Sequence, residues 1–215
     1  NISLKPSHIG TDININLFRK NLQDILNYAT QYNNFIRIDM ENNTLTDISL
    51  NTYNNIRSNN IGIVLQAYLF RTYNDLNNLD IHSNIRLCKG IYNESPKIAI
   101  KNPSKINDNY LKLLEVAFKK EIYVGIATHD ITLIDRALLL INKMNISKDN
   151  FEFQMLYGVP MQHTIKHLLK NQYKVRIYVP FGPLWYDYSI RRIKENPDIS
   201  KYIIKNIFSK IKEAL

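Results

Sequence analysis

Residues 35–41 read Phe35-Ile36-Arg37-Ile38-Asp39-Met40-Glu41, and their alternation decides the fold. Successive side chains of an extended chain point to opposite faces. Ile36, Ile38 and Met40 therefore share one face, and Arg37, Asp39 and Glu41 share the other. The same split sets Gln66 and Tyr68, Arg86 and Tyr92, Glu152 and Gln154, and Arg176 and Tyr178 opposite apolar neighbours. Strand-like runs lie at residues 1–5, 35–41, 61–68, 85–92, 122–128, 151–158 and 175–181. Helix-compatible stretches separate them, among them 17–32 behind a Thr11/Asp12 cap, 107–120 and 132–145. This β–α alternation predicts a parallel sheet, and with so many units a (βα) barrel is its closed form. Both faces of a parallel sheet are covered, so the apolar sides meet helices and the polar sides point inward. Such an interior is either a self-paired polar network or the lining of a liganded mouth. Barrels filled for stability alone use branched apolar layers, which favours the mouth. Residues 93–106, broken by Pro96 and Pro103, predict a long loop after the fourth strand, at the end of the sheet where barrel active sites are built.

Composition narrows the class further. The chain has 215 residues, 45% of them hydrophobic and 22% charged, which is enough for one sizeable core and one domain, residues 1–215. The single cysteine, Cys88, rules out an internal disulfide and fits a reducing compartment. No apolar run approaches the ~20 residues that span a bilayer, and the first residues lack a secretory pattern. The expected location is the cytoplasm. A net charge of +9 would attract acidic surfaces, yet the lysines form no block or stripe interleaved with aromatics, so no nucleic acid is expected. Peripheral contact with anionic lipid on the inner membrane face fits better. At the C-terminal end, Ile199, Ile203, Ile207, Ile211 and Leu215 make a stripe of helical spacing, with Lys201, Lys205, Lys210 and Lys212 mostly off it. That pattern predicts a helix docked on the barrel, or one that also reaches a membrane surface.

Residues 178–195 read YVPFGPLWYDYSIRRIKE, an apolar strand end that breaks at Pro180-Phe181-Gly182-Pro183 and continues as a helix. Helical spacing puts Tyr188, Arg191, Arg192 and Glu195 on one face. Periodicity alone leaves two readings of that face: a solvated Arg-Arg-x-x-Glu ion pair, or paired guanidinium forks suited to a planar carboxylate. Similarly, Lys5 reads as a snorkelling strand-end lysine, His129 as a structural strand-end histidine, and Tyr178 and Leu156 as core. His163 and His167 stand four apart but have no neighbouring Glu or third ligand, so no metal site is expected.

Tyr-x-Pro-x-Gly followed by Tyr-x-x-Arg-Arg-x-x-Glu resembles the end of the proline dehydrogenase barrel. Ser3-Leu4-Lys5, residues 37–41 (RIDME), 64–68 (VLQAY), 86–92 (RLCKGIY), 127–129 (ATH) and 151–158 (FEFQMLYG) match that family in order. The likeness is to the monofunctional bacterial type and covers nearly the whole chain. It implies FAD-dependent oxidation of L-proline to Δ1-pyrroline-5-carboxylate, the first step from proline towards glutamate, with electrons passed to a membrane quinone. By that resemblance Arg191 and Arg192 clamp the substrate carboxylate, and Lys5 adds a third positive charge. Tyr178, Tyr188 and Leu156 pack against the substrate ring, Glu195 orients an arginine, and Asp39 orients Lys5 or Arg37. Gln66 and Arg86 face the flavin ring, where a cation favours the negatively charged reduced form. Lys89, Gly90 and Tyr92, with Thr128 and His129, fall at cofactor-binding positions, the glycine, threonine, histidine and lysine around the ribityl and phosphate parts.

In the resembling family Ser3-Leu4-Lys5 belongs to the second barrel strand. The fold expected here is therefore an α/β, (βα)8 TIM-type barrel that lacks its first strand and helix. Ile91 before Tyr92 departs from the family pattern and adds bulk near the flavin. Two rival functions are a methylenetetrahydrofolate reductase-like flavin barrel, which needs a pterin pocket in place of the arginine pair, and a non-catalytic truncated barrel.

Overall fold

The computed structural model describes residues 1–56 and 58–182. All seven expected strands form: β1 (Ile2–Leu4), β2 (Ile36–Ile38), β3 (Ile61–Gln66), β4 (Asn84–Cys88), β5 (Tyr123–Ala127), β6 (Phe151–Leu156) and β7 (Val175–Tyr178). They make one sheet in chain order, and every neighbouring pair is parallel. Among the described residues six α-helices alternate with them: α1 (Ile15–Gln31), α2 (Thr46–Asn55), α3 (Thr72–Asn77), α4 (Pro103–Lys119), α5 (Ile131–Lys143) and α6 (Gln162–Lys170). Among the described residues no helix is long and apolar enough to cross a membrane.

The helix starts follow local capping chemistry. In α1 the cap is Asn14, whose Oδ1 accepts the Leu17 N–H at 2.8 Å, not the Thr11/Asp12 pair expected from sequence. Asn14 wins because its side chain lies within one turn of the first free amides. The helix α4 begins at Pro103, four residues before the expected start, with Asn102 as its cap. Pro103 opens this helix instead of breaking it, since a first-turn residue needs no amide donor and proline presets the helical φ. The long loop is correspondingly shorter, and within it Ala99 forms a bridge with Leu69 just after β3.

The apolar faces meet as the alternation predicts. Phe18, Leu22, Leu26 and Ala29 of α1, Leu113, Leu114 and Ala117 of α4, and Leu133, Ile134 and Ala137 of α5 are buried in one core with Ile36, Ile38, Ile63, Leu65, Ile85 and Leu87 of the strands.

Side-chain contacts across the polar face show that the sheet curls. In a flat sheet β1 and β4 would stand about 14 Å apart, and β2 and β7 about 24 Å, at ~4.8 Å per strand. Yet Arg86 Nη2 of β4 donates to Ser3 Oγ of β1 at 3.0 Å, and Tyr178 Oη of β7 donates to Asp39 Oδ2 just past β2 at 3.4 Å. Only a strongly curved sheet brings these groups together, so the architecture is an α/β barrel-like fold with its polar faces inside.

Candidate active site

Arg86 is the hub of the interior. Its Nε donates to Gln154 Oε1 at 2.5 Å, Nη1 to Asp39 Oδ1 at 2.6 Å and Nη2 to Ser3 Oγ at 3.0 Å. The Tyr178 ring lies 5.2 Å from the guanidinium carbon. A guanidinium has five N–H donors, so one remains on each terminal nitrogen for a ligand. Arg86 is 9% exposed, and residues of β1, β6 and β7, with Asp39 just past β2, surround it. The Asp39 pair supplies the countercharge that a buried cation needs. This corrects one expectation: Asp39 orients Arg86, not Lys5 or Arg37. Arg37 instead donates to Asn84 Oδ1 and to the Ile63 and Asn84 carbonyls, and its Nη1 lies over Gly62. Burial, with the Arg86 cation near, pulls the Arg37 guanidinium down to about 9.

A second ion pair lies beneath Gln154. Arg176 Nε and Nη2 donate to the two oxygens of Glu152 at 2.6 and 2.8 Å, and Gln154 Nε2 donates to Glu152 Oε1 at 2.6 Å. Burial alone would raise the Glu152 carboxyl, but hydrogen bonds from Arg176, Gln154 and Tyr123 outweigh it and hold the group below its ordinary value. A carboxyl lowered on folding stabilises the protein above its unfolded pKa of about 4.3, and that contribution is lost as pH falls through the folded value. Arg176→Leu removes the strongest partner and leaves burial to raise the carboxyl. The deficit in melting temperature of Arg176→Leu relative to the parent is therefore expected to be widest near about pH 7 and to narrow as pH falls towards about 4, because protonation of the raised carboxyl stabilises the folded variant. Superimposable pH profiles would contradict the assignment.

The remaining sequence-predicted residues divide into two groups. Lys5, Gln66, Tyr92, Thr128, His129, Leu156 and Tyr178 line one cavity together with Asp39 and Arg86. Lys5 Nζ stands 3.4 Å from Tyr92 Oη at its rim. Gln66 Nε2 donates to the Glu41 carbonyl at 2.9 Å, tying β3 to the chain after β2. His129 Nε2 accepts the Leu156 N–H at 2.8 Å, which puts its proton on Nδ1, and burial lowers its pKa towards the neutral ring. Thr128 Oγ1 accepts the Asp130 N–H at 3.2 Å and so shapes the start of α5.

Lys89 and Gly90 lie apart from that cavity. Lys89 Nζ pairs with Asp130 Oδ2 at 2.6 Å, while Asp130 Oδ1 caps α5 through the Leu133 N–H. Gly90 has φ +104°, and a Cβ there would come within 2.1 Å of the Tyr68 ring. Packing by Tyr68 accounts for the glycine. Tyr188, Arg191, Arg192, Glu195 and the stripe from Ile199 to Leu215 lie outside the described residues.

The cavity measures about 260 Å³ and opens at the C-terminal ends of the strands. Met40, Val64, Met155 and Leu156 give it apolar walls, and Arg86 gives it a cation. Cys88 also lines it, and its Sγ approaches the Leu65 carbonyl at 3.5 Å. Sequence reasoning placed Glu152 and Gln154 inward but gave them no role, and it gave none to Ser3 or Cys88. For Gln154 a signal was present: a glutamine two residues from an inward glutamate, on a strand otherwise apolar.

The proline dehydrogenase family model matches residues 1–204. Proline dehydrogenase 2 of Bacillus subtilis (strain 168) is 36% identical over 212 residues, covering 97% of this chain and 70% of the relative. The proline dehydrogenase of Deinococcus radiodurans is 35% identical over 214 residues, covering 96% of this chain and 69% of the relative. Among solved structures, proline utilization A (PutA) from Bdellovibrio bacteriovorus inactivated by N-propargylglycine superposes with a TM-score of 0.80 at 23% identity. That match covers 90% of this chain, and this chain spans 24% of the PutA chain, so it bears on the fold alone.

Proposed function

Because the chain belongs to the proline dehydrogenase family, we propose that it oxidises L-proline to Δ1-pyrroline-5-carboxylate with FAD as its cofactor and passes the electrons to a membrane quinone. The observation that carries this reading is Arg86, a buried cation fixed by Gln154, Asp39 and Ser3 on the floor of an apolar-walled cavity with donors to spare. That donor set fits a flat heterocycle that gains negative charge on reduction. A cavity of about 260 Å³ is small beside the ~300–1,000 Å³ of typical ligand pockets, so it suits a ring system and not a whole dinucleotide. In this reading the seven strands are part of a closed eight-stranded barrel.

Gln66 and Arg86 would face the ring, and Thr128 would stand near its side chain at the end of β5. FAD bound there supplies the two-electron acceptor for the hydride lost from the proline C5. The residues of the chain position, neutralise and exclude water. Asp39 engages Arg86 and Tyr178 with its two oxygens, which makes it an orienting group and not a general base. Lys5 at the rim adds positive charge on the path of an anionic substrate. Arg191 and Arg192 grip the proline carboxylate, Tyr178, Tyr188 and Leu156 pack against its ring, and Glu195 orients an arginine. Loss of the C5 hydride and the nitrogen proton leaves a C=N bond, and no nucleophile is required. Contact of the lysine-bearing C-terminal stripe with anionic lipid belongs to the same reading, supported by the net charge of +9.

The reading predicts that flavin-loaded protein given L-proline and a soluble quinone reduces the quinone. A protein that holds FAD yet reduces nothing under those conditions would instead be the non-catalytic barrel.

A further inference from the structure

We propose that Gln154 is a positioning residue for Arg86 and that Gly125 is the seat that lets it act. This rests on the flavin reading above and extends it to two residues that sequence reasoning left without a role. Gln154 stands on β6 and Arg86 on β4, with β5 between them. The direct register partner of Arg86 on β5 is Gly125. Gln154 crosses that strand to reach Arg86 Nε at 2.5 Å. A Cβ on Gly125 would stand 2.3 Å from Gln154 Nε2 and 2.8 Å from its Cδ, so any other residue there would displace the amide.

The amide orientation is fixed as well. Its Nε2 donates to Glu152, whose two oxygens are held by Arg176, so Oε1 is left to accept from Arg86. Flipped, the amide would set a donor against the guanidinium and its oxygen against a carboxylate. Gln154 is 4% exposed and Glu152 is 4% exposed, so water does not substitute for either contact. Asp39 and Ser3 hold the two ends of the guanidinium fork, and Gln154 fixes its base, which sets the plane in which the remaining N–H groups lie. A cation held in one plane close to a ring that gains negative charge stabilises the reduced form more than one that rotates away.

The test measures the FAD dissociation constant, the reduction potential of the bound flavin and the melting temperature of the flavin-free protein. Gln154→Met keeps the length of the side chain and removes its acceptor. It is expected to weaken FAD binding about tenfold, to shift the potential to more negative values, and to lower the melting temperature only by a few degrees. Gly125→Ala is expected to give the same direction of shift, and it carries the test should Gln154→Met fail to fold. Adding Gly125→Ala to Gln154→Ala should change the potential no further, because the side chain it displaces is already gone. A lowered melting temperature with the parent's affinity and potential would mean that Gln154 only braces the sheet, and the proposal would fall. Independent, additive shifts from Gly125→Ala and Gln154→Ala would overturn the seat. A parent protein that takes up no FAD would overturn the flavin reading and this inference together, whereas a parent that binds FAD beside unchanged variants overturns this inference alone.

Discussion

Arg86→Ala is expected to weaken FAD binding by one to two orders of magnitude and to destabilise the flavin-free protein by about 3–5 kcal/mol. Both effects come from the same geometry. The substitution removes the cation offered to the ring, and it leaves the Asp39 carboxylate and the Gln154 oxygen buried without their partner. From sequence alone an inward arginine on a strand shows only its charge, whereas bonded to Ser3 of β1, Gln154 of β6 and Asp39 just past β2 its guanidinium also holds the curl of the sheet. Arg86→Lys separates the two contributions. A lysine can keep the Asp39 pair but cannot reach Ser3 and Gln154 together, so stability should recover in part while FAD affinity stays low. Titration with FAD and thermal melts of both variants check this. Parent-like values in Arg86→Ala would remove Arg86 from the centre of the site.

The second large effect belongs to the arginine pair. Arg191→Ala or Arg192→Ala is expected to raise KM for L-proline roughly ten- to hundred-fold, because each removes a charge-assisted contact worth about 1.5–3 kcal/mol. FAD affinity should stay at the parent level, which distinguishes a substrate clamp from a general loss of structure. A solvated helix face, the other reading of the same spacing, predicts an unchanged KM in both variants.

How far the fold was legible follows from what each signal depends on. The seven strands and their inward polar faces depend on local alternation, so Arg37-Ile38-Asp39 and Glu152-Phe153-Gln154 told in advance which side chains enter the interior. Helix starts were less legible, because candidate caps compete within a few residues: Asn14 took the place of Thr11/Asp12, and Pro103 opened a helix that it was expected to precede. The partners of the inward groups were least legible. Whether Asp39 meets Lys5, Arg37 or Arg86 depends on sheet curvature, which sums small twists over several strands and has no local signature. The same holds for Gln154, whose reach to Arg86 requires a glycine on the strand between. His129 was legible as an either/or, and its bond to the Leu156 amide gives it a structural task whatever else it does.

Whether the cavity at Arg86 holds a flavin that L-proline reduces is decided by the visible spectrum of the purified, FAD-loaded protein under anaerobic conditions before and after addition of L-proline, with methylenetetrahydrofolate as the comparison. The flavin absorption is expected to bleach with L-proline and to persist with the folate. An oxidised spectrum unchanged by L-proline, or bleached by the folate instead, would contradict the proposed function.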